Sequence, residues 1–113
     1  MRADRPDYAI EAGSSPGTWF LRGVLRLESP EAYARAFKPI TDSLGAVRAT
    51  SIDLTRVVFL NSSGIRGLAD VLLDARAKGV QVTLYGSAGV PWQKKLATSL
   101  TGLFPEIVMR VDR

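Results

Sequence analysis

The spacing of apolar residues changes along this chain, and each change marks a different element. Residues 19 to 27, WFLRGVLRL, set Trp19, Leu21, Leu25 and Leu27 on one face and Arg22 and Arg26 on the other, the alternation of a half-buried strand. A shorter strand is expected around Tyr8 to Glu11, and the turn-rich AGSSPG between the two is short enough for an antiparallel hairpin. From Ser29 the spacing lengthens. Tyr33, Phe37, Ile40 and Leu44 follow at intervals of four, three and four, with Ser29 placed as N-cap, Pro30 at the first helical position and Glu31 near the positive helix end. This is an amphipathic helix that Pro39 should kink or shorten, and its aromatic stripe reads as core.

After Gly45, the run ATSIDLTRVVFL (49–60) is rich in β-branched and apolar residues with little alternation. Such a run suits a central strand covered on both faces, or a strand leading into a buried loop. Ser63 to Lys78 returns to helical spacing, with Ile65, Leu68, Val71, Leu72 and Ala75 on one side and Arg66, Asp70, Asp74 and Lys78 on the other. Gly79 supplies a C-terminal stop. VQVTLY (80–85) alternates as a strand, and GSAGV is a loop. Pro91 opens a third helix through Trp92, Leu96 and Leu100 to Gly102, and EIVMRV (106–111) is a last strand. The order β-β-α-β-α-β-α-β predicts an α/β fold, a mixed and mostly parallel central sheet covered by amphipathic helices. A length of 113 residues suits one domain over 1–113.

Composition narrows the chemistry. With 46% hydrophobic and 23% charged residues, and no apolar run of the ~18 residues that a membrane span needs, the chain reads as soluble and globular. The opening MRADRPDYAIEAG scatters charge where a secretory signal would be apolar, so a cytoplasmic location is expected. Cysteine and histidine are both absent. That excludes disulfides, thiol nucleophiles, Cys-rich zinc sites and any Ser-His pair within the chain, and it removes the usual proton carrier near neutral pH. No cofactor is implied. The net charge of +4 is spread from Arg2 to Arg113, with Lys94-Lys95 the only adjacent basic pair, which does not indicate a nucleic-acid groove.

One junction combines strand end, hydroxyls and helix start: FLNSSGIRGL, residues 59 to 68. Unpaired N–H groups at a helix N-terminus can be met by a side-chain oxygen, so one of the two serine hydroxyls is expected to cap the helix, with Gly64 allowing close backbone packing. The same N–H groups and the helix dipole also favour a phosphate or a phosphorylated serine. A nucleotide-binding loop is excluded by the lack of G-x-x-x-x-G-K-[ST] and G-x-G-x-x-G runs. A serine hydrolase would need the G-x-S-x-G elbow and a histidine, and neither is present.

The stretch SIDLTRVVFLNSSGIRGLADVLLDARAKGVQVTLYG, with the trailing LTGLFPEI, resembles the STAS domains, named from sulfate transporters and anti-sigma factor antagonists. The spacing from Asp53 to Ser62 agrees with that family's run of Asp-Leu, a short apolar stretch, Asp-Ser-Ser-Gly-Leu and an amphipathic helix. NSSGI together with VPWQ is also similar to a subgroup of small bacterial STAS-like regulators found beside signalling kinases and phosphatases. The resemblance implies a non-enzymatic signalling module that binds a protein partner, an anti-sigma factor or a serine kinase or phosphatase of the histidine-kinase-like ATPase fold. It makes Ser62 the phosphorylation site, with Ser63 the runner-up. The family's Asp before the serine pair is Asn61 here, so the local carboxylate is missing.

The partner face is expected to combine Asn61, Ser62, Ser63, Gly64, Arg66 and Asp70 with the loop at 86–90. Otherwise Arg66 and Asp70 form only a surface ion pair. An alternative within the same resemblance is an accessory subunit of a transporter ATPase or a structural assembly, bound without phosphorylation. Neither nucleic acid nor membrane insertion is expected, and a homodimer is open.

Overall fold

The computed structural model describes residues 7–87, 90, 93, 96, 98, 100, 102, 104 and 108–112. Two strands open the chain, β1 (Tyr8–Ala12) and β2 (Thr18–Leu25), paired as the antiparallel hairpin that the short turn predicts. Helices α1 (Pro30–Ala36) and α2 (Lys38–Ser43) lead through a 3-10 turn at Leu44–Ala46 to β3 (Ala49–Leu60). Helix α3 (Ser62–Ala77) and strands β4 (Gln81–Ser87) and β5 (Val108–Asp112) follow. Between β4 and β5, Gln93, Leu96, Thr98, Leu100 and Gly102 are helical, and the expected helix start at Pro91 and Trp92 lies outside the described residues.

The five strands form one mixed sheet in the order β1-β2-β3-β4-β5, with every pair after the hairpin parallel. Each parallel strand is laid beside its predecessor, so right-handed crossovers place all connecting helices on the same face. The burial pattern of β3 follows from this. Thr50, Ile52 and Leu54 are buried under the helices, whereas Ser51, Asp53 and Thr55 turn to the opposite face and are only half-buried. The expectation of a strand covered on both faces is therefore wrong: the polar residues at every second position are real alternation, hidden in the sequence by the apolar run that follows.

Helix α1 begins as expected, the Ser29 hydroxyl accepting from the Ala32 N–H at 3.1 Å with Pro30 next to it. The helical run breaks at Phe37, two residues before Pro39, whose ring has no N–H to give the preceding turn and crowds it. Tyr33, Phe37, Ile40 and Leu44 all remain buried across the break. At the far end of α3, Gly79 adopts φ +70 and the Val80 N–H reaches back to the Ala75 carbonyl at 2.9 Å, closing the last turn. Leu68 and Leu72 of α3, Phe37 and Leu96 are all in the core. Ile65 is not: it is 36% exposed, because the buried stripe of α3 runs through Gly64, Gly67, Leu68, Val71, Leu72 and Ala75 and Ile65 stands to one side of it. Among the described residues no helix is long and apolar enough to cross a membrane.

Candidate functional site

The pairing of β3 with β4 ends at Asp53 and Tyr85, while β3 runs on beside β2 to Leu60 through two irregular steps, one opposite Phe20–Arg22 and one opposite Gly23–Val24. The strand therefore projects its end beyond β4 and delivers Asn61 to the start of α3. Carbonyls left open along this stretch need other donors. Gln93 provides them: its buried amide donates to Leu54 O at 2.7 Å and to Val57 O at 2.8 Å, and its Oε1 accepts from the Ser87 N–H at 2.7 Å.

At the junction itself the capping residue is Asn61, not Ser62 or Ser63. Its Oδ1 accepts from the Gly64 N–H at 3.0 Å and from the Tyr33 hydroxyl at 2.7 Å, and its Nδ2 donates to Leu27 O at 3.0 Å. The Tyr33 hydroxyl in turn accepts from the Leu27 N–H at 3.2 Å. Burial pushes the pKa of this phenol above its ordinary value of 10.0, because the charged form would be desolvated; the Leu27 hydrogen bond works against that shift. The carboxamide is suited to this position in a way a carboxylate is not. An Asp would keep both acceptor bonds but set an oxygen against Leu27 O, where Asn61 supplies a donor. Asn61 thus caps α3 without a carboxylate.

Tyr33 can enter the junction because α3 offers glycines there. A Cβ on Gly64 would strike Leu60 Cδ1 and come within 2.8 Å of the Tyr33 ring, and one on Gly67 would lie 2.6 Å from Tyr33 Cβ. With the cap assigned to Asn61, both serine hydroxyls are released from that duty. Ser62, at the first helical position, is exposed, and Ser63 is half-buried. Positions four apart share one helix face, so Ser62, Arg66 and Asp70 stand one above another. Arg66 Nε lies 3.8 Å from an Asp70 carboxylate oxygen, with both side chains largely in solvent. The expected surface pair exists, and such a pair contributes only tenths of a kcal/mol.

The same outer surface of α3 carries exposed Ile65 and Leu73; at the end of β3, Val58 and Phe59 are exposed as well, with the Arg26 guanidinium 5.3 Å from the Phe59 ring centroid. Residues 86–90 are also expected on this face. Gly86 is buried, Ser87 and Val90 are half-buried, and 88 and 89 lie outside the described residues. Two residues that hold the site were not identifiable as such from the sequence. Tyr33 reads only as part of a core stripe, and Gln93 enters only as the last residue of the VPWQ run, with no role given to it; the further signal available is that a buried tyrosine hydroxyl needs a partner.

The family model for the STAS domain matches residues 12–112. This chain belongs to the STAS domain family. Among solved structures, apo-SiaC from Pseudomonas aeruginosa superposes with a TM-score of 0.71 at 17% identity, over 100% of this chain and 98% of that one. A chain from the complex of the Pseudomonas aeruginosa diguanylate cyclase SiaD with its activator SiaC gives 0.68 at 20% identity, over 93% of this STAS chain and 90% of that one. The Bacillus cell fate determinant SpoIIAA, in its phosphorylated form, gives 0.63 at 21% identity, over 94% and 91%. No curated protein sequence matches the chain.

Proposed function

We propose that this STAS domain is a non-enzymatic, cytoplasmic signalling module, a single domain over residues 1–113, that docks a regulatory protein on the exposed face of α3 and is released by phosphorylation of Ser62. The partner class is an anti-sigma factor or a kinase or phosphatase of the histidine-kinase-like ATPase fold. What carries this reading is the exposure of Ser62, Ile65, Arg66, Asp70 and Leu73 on one helix face while a neighbouring residue, Asn61, does the capping. Those side chains are not needed to hold the fold. The likeness to SpoIIAA in its phosphorylated form, and to a complex in which SiaC is the activator of another protein, supports the same direction.

The physics of a phosphate at Ser62 divides cleanly between fold and interface. Roughly −1.5 to −2 charges at the first helical position meet free N–H groups and the positive end of the helix dipole, so the fold tolerates them. Arg66, one turn on and weakly held by Asp70, can turn to the phosphate, and the neutral Asn61 adds no repulsion beside it. A partner packed on this face must instead desolvate a dianion. Unless it offers an arginine, the cost is several times the ~1.4 kcal/mol that weakens binding tenfold.

Purifying the native complex and comparing it with the Arg66→Glu form tests the face. The variant should melt within about 0.5 kcal/mol of wild type, as surface substitutions do, yet recover less partner. Equal affinity for both proteins removes Arg66 from the interface, and a native protein that travels alone removes the partner.

A further inference from the structure

Among the described residues, the sequential strand order leaves one face of the sheet without a helix, and the residues on that face are neither uniformly polar nor random. One row across the strands reads Glu11, Phe20, Asp53 and Tyr85, each the register partner of the next. Phe20 is 43% exposed and Tyr85 37%. The neighbouring row holds Arg22 opposite Arg56. Between the rows lies a hollow of about 300 Å³ lined by Glu11, Phe20, Arg22, Asp53, Thr55 and Arg56. Across β1–β4, acids and aromatics thus alternate along one line and two guanidinium groups stand along the next, two charges of each sign; on β5 the register partner of Tyr85 is Arg110 and that of Ser87 is Asp112.

We infer that this bare face is a self-complementary surface that joins two copies of the chain. A two-fold axis parallel to the sheet and perpendicular to its strands, placed between the two rows, lays the acidic row of one copy over the basic row of the other. Position across the sheet is kept by that rotation, so Arg56 of each copy meets Asp53 of the other and Arg22 meets Phe20, an ion pair and a cation–π contact, each made twice. No other rotation is needed for both signs to match. Asp53 is fixed for this role, accepting from the Thr55 N–H at 2.8 Å and from the Thr55 hydroxyl at 2.6 Å. Arg22 is held only loosely, 3.6 Å from Glu11, with both side chains more than half exposed.

Five strands about 4.8 Å apart and about 20 Å long offer on the order of 400–500 Å² per copy, at the small end for specific association, so the dimer is weak and reversible. Sheets stacked in this way point their helices outwards. Both α3 faces stay open, and a dimer presents two docking surfaces at once.

Sedimentation and amide chemical-shift mapping between about 20 μM and 1 mM, at low and high salt, test this on the whole chain. Wild type should dimerise with rising concentration, with shifts confined to the strands of the bare face, and the association should weaken at least several-fold in 0.5 M salt. Arg56→Glu, at an exposed position, should weaken it at least tenfold; mixed with Asp53→Arg it should form a heterodimer. Since Asp53→Arg disturbs the Thr55 contacts, Tyr85→Ser serves as a second loss-of-contact variant and should also weaken the dimer. A wild type that stays monomeric at 1 mM in low salt overturns the inference. So does an unchanged dimer in Arg56→Glu, or shifts on α3 instead of the sheet.

Discussion

Replacing Asn61 by alanine removes three contacts at once, and their cost can be added from the geometry. The Gly64 N–H loses its cap, worth about 1 kcal/mol at a helix N-terminus. Leu27 O loses the 3.0 Å bond from Nδ2 in a part-buried setting, which leaves an acceptor short by roughly 1–2 kcal/mol. The Tyr33 hydroxyl loses its 2.7 Å acceptor but keeps the Leu27 N–H as donor, so its share is smaller. Allowing for relaxation and entry of water, the sum is about 2–4 kcal/mol, large against the 5–15 kcal/mol that hold most domains together. Urea denaturation followed by far-UV circular dichroism should show the midpoint falling with an unchanged slope. Asn61→Asp separates the parts: it keeps both acceptor bonds and gains roughly 0.3–1 kcal/mol from the helix dipole, but loses the bond to Leu27, so it should fall between alanine and wild type. If Asn61→Ala lies within about 0.5 kcal/mol of wild type, or if Asp proves more stable than Asn, the junction is not held as described.

Three further outcomes follow from the same packing. Gly67→Ala should destabilise by about 1–3 kcal/mol, because its methyl overlaps Tyr33, and a neutral result in thermal unfolding would show that α1 and α3 are not in close contact. Gln93→Leu keeps the volume but removes the bonds to Leu54 O, Val57 O and the Ser87 N–H, so a loss of at least about 2 kcal/mol and faster amide exchange at Ser87 are expected; unchanged exchange would argue against the bridge. Tyr33→Phe should cost about 1–3 kcal/mol near neutral pH. The folded-state pKa of Tyr33 is raised, so its contribution is fully present below the unfolded value near 10 and declines as pH climbs from there towards the folded value; the gap between wild type and Tyr33→Phe should shrink above pH 10, and a constant gap up to pH 11 would remove the buried phenol from the account.

The sequence carried the helices and the order of elements along the chain well, because each is written in spacing that a single segment can show. Gly79 stopped α3 where left-handed backbone was needed, and Pro39 broke the α1 region one turn early enough to leave the Tyr33–Leu44 stripe buried. What could not be read is what depends on residues distant in sequence. Asn61 caps α3 because Tyr33 and Leu27, 28 and 34 positions away, fix its side chain, whereas locally two serines looked equally suitable. Ile65 fitted the apolar stripe by count but stands beside it, since Gly64 and Gly67 rotate the contact face of the helix towards Tyr33. The bare face of β3 was obscured because its second half, bulged twice against β2, breaks the alternation that its first half obeys.

The claim at the centre of this account is that a single exposed hydroxyl on α3 decides whether a partner protein stays bound. Titration calorimetry of the partner recovered with the native protein, against unmodified and Ser62-phosphorylated chains of equal stability, tests it most directly. The account predicts that the unmodified chain binds and that phosphorylation weakens binding at least tenfold, about 1.4 kcal/mol or more, with the melting temperature essentially unchanged. Equal affinity of the two forms would contradict it.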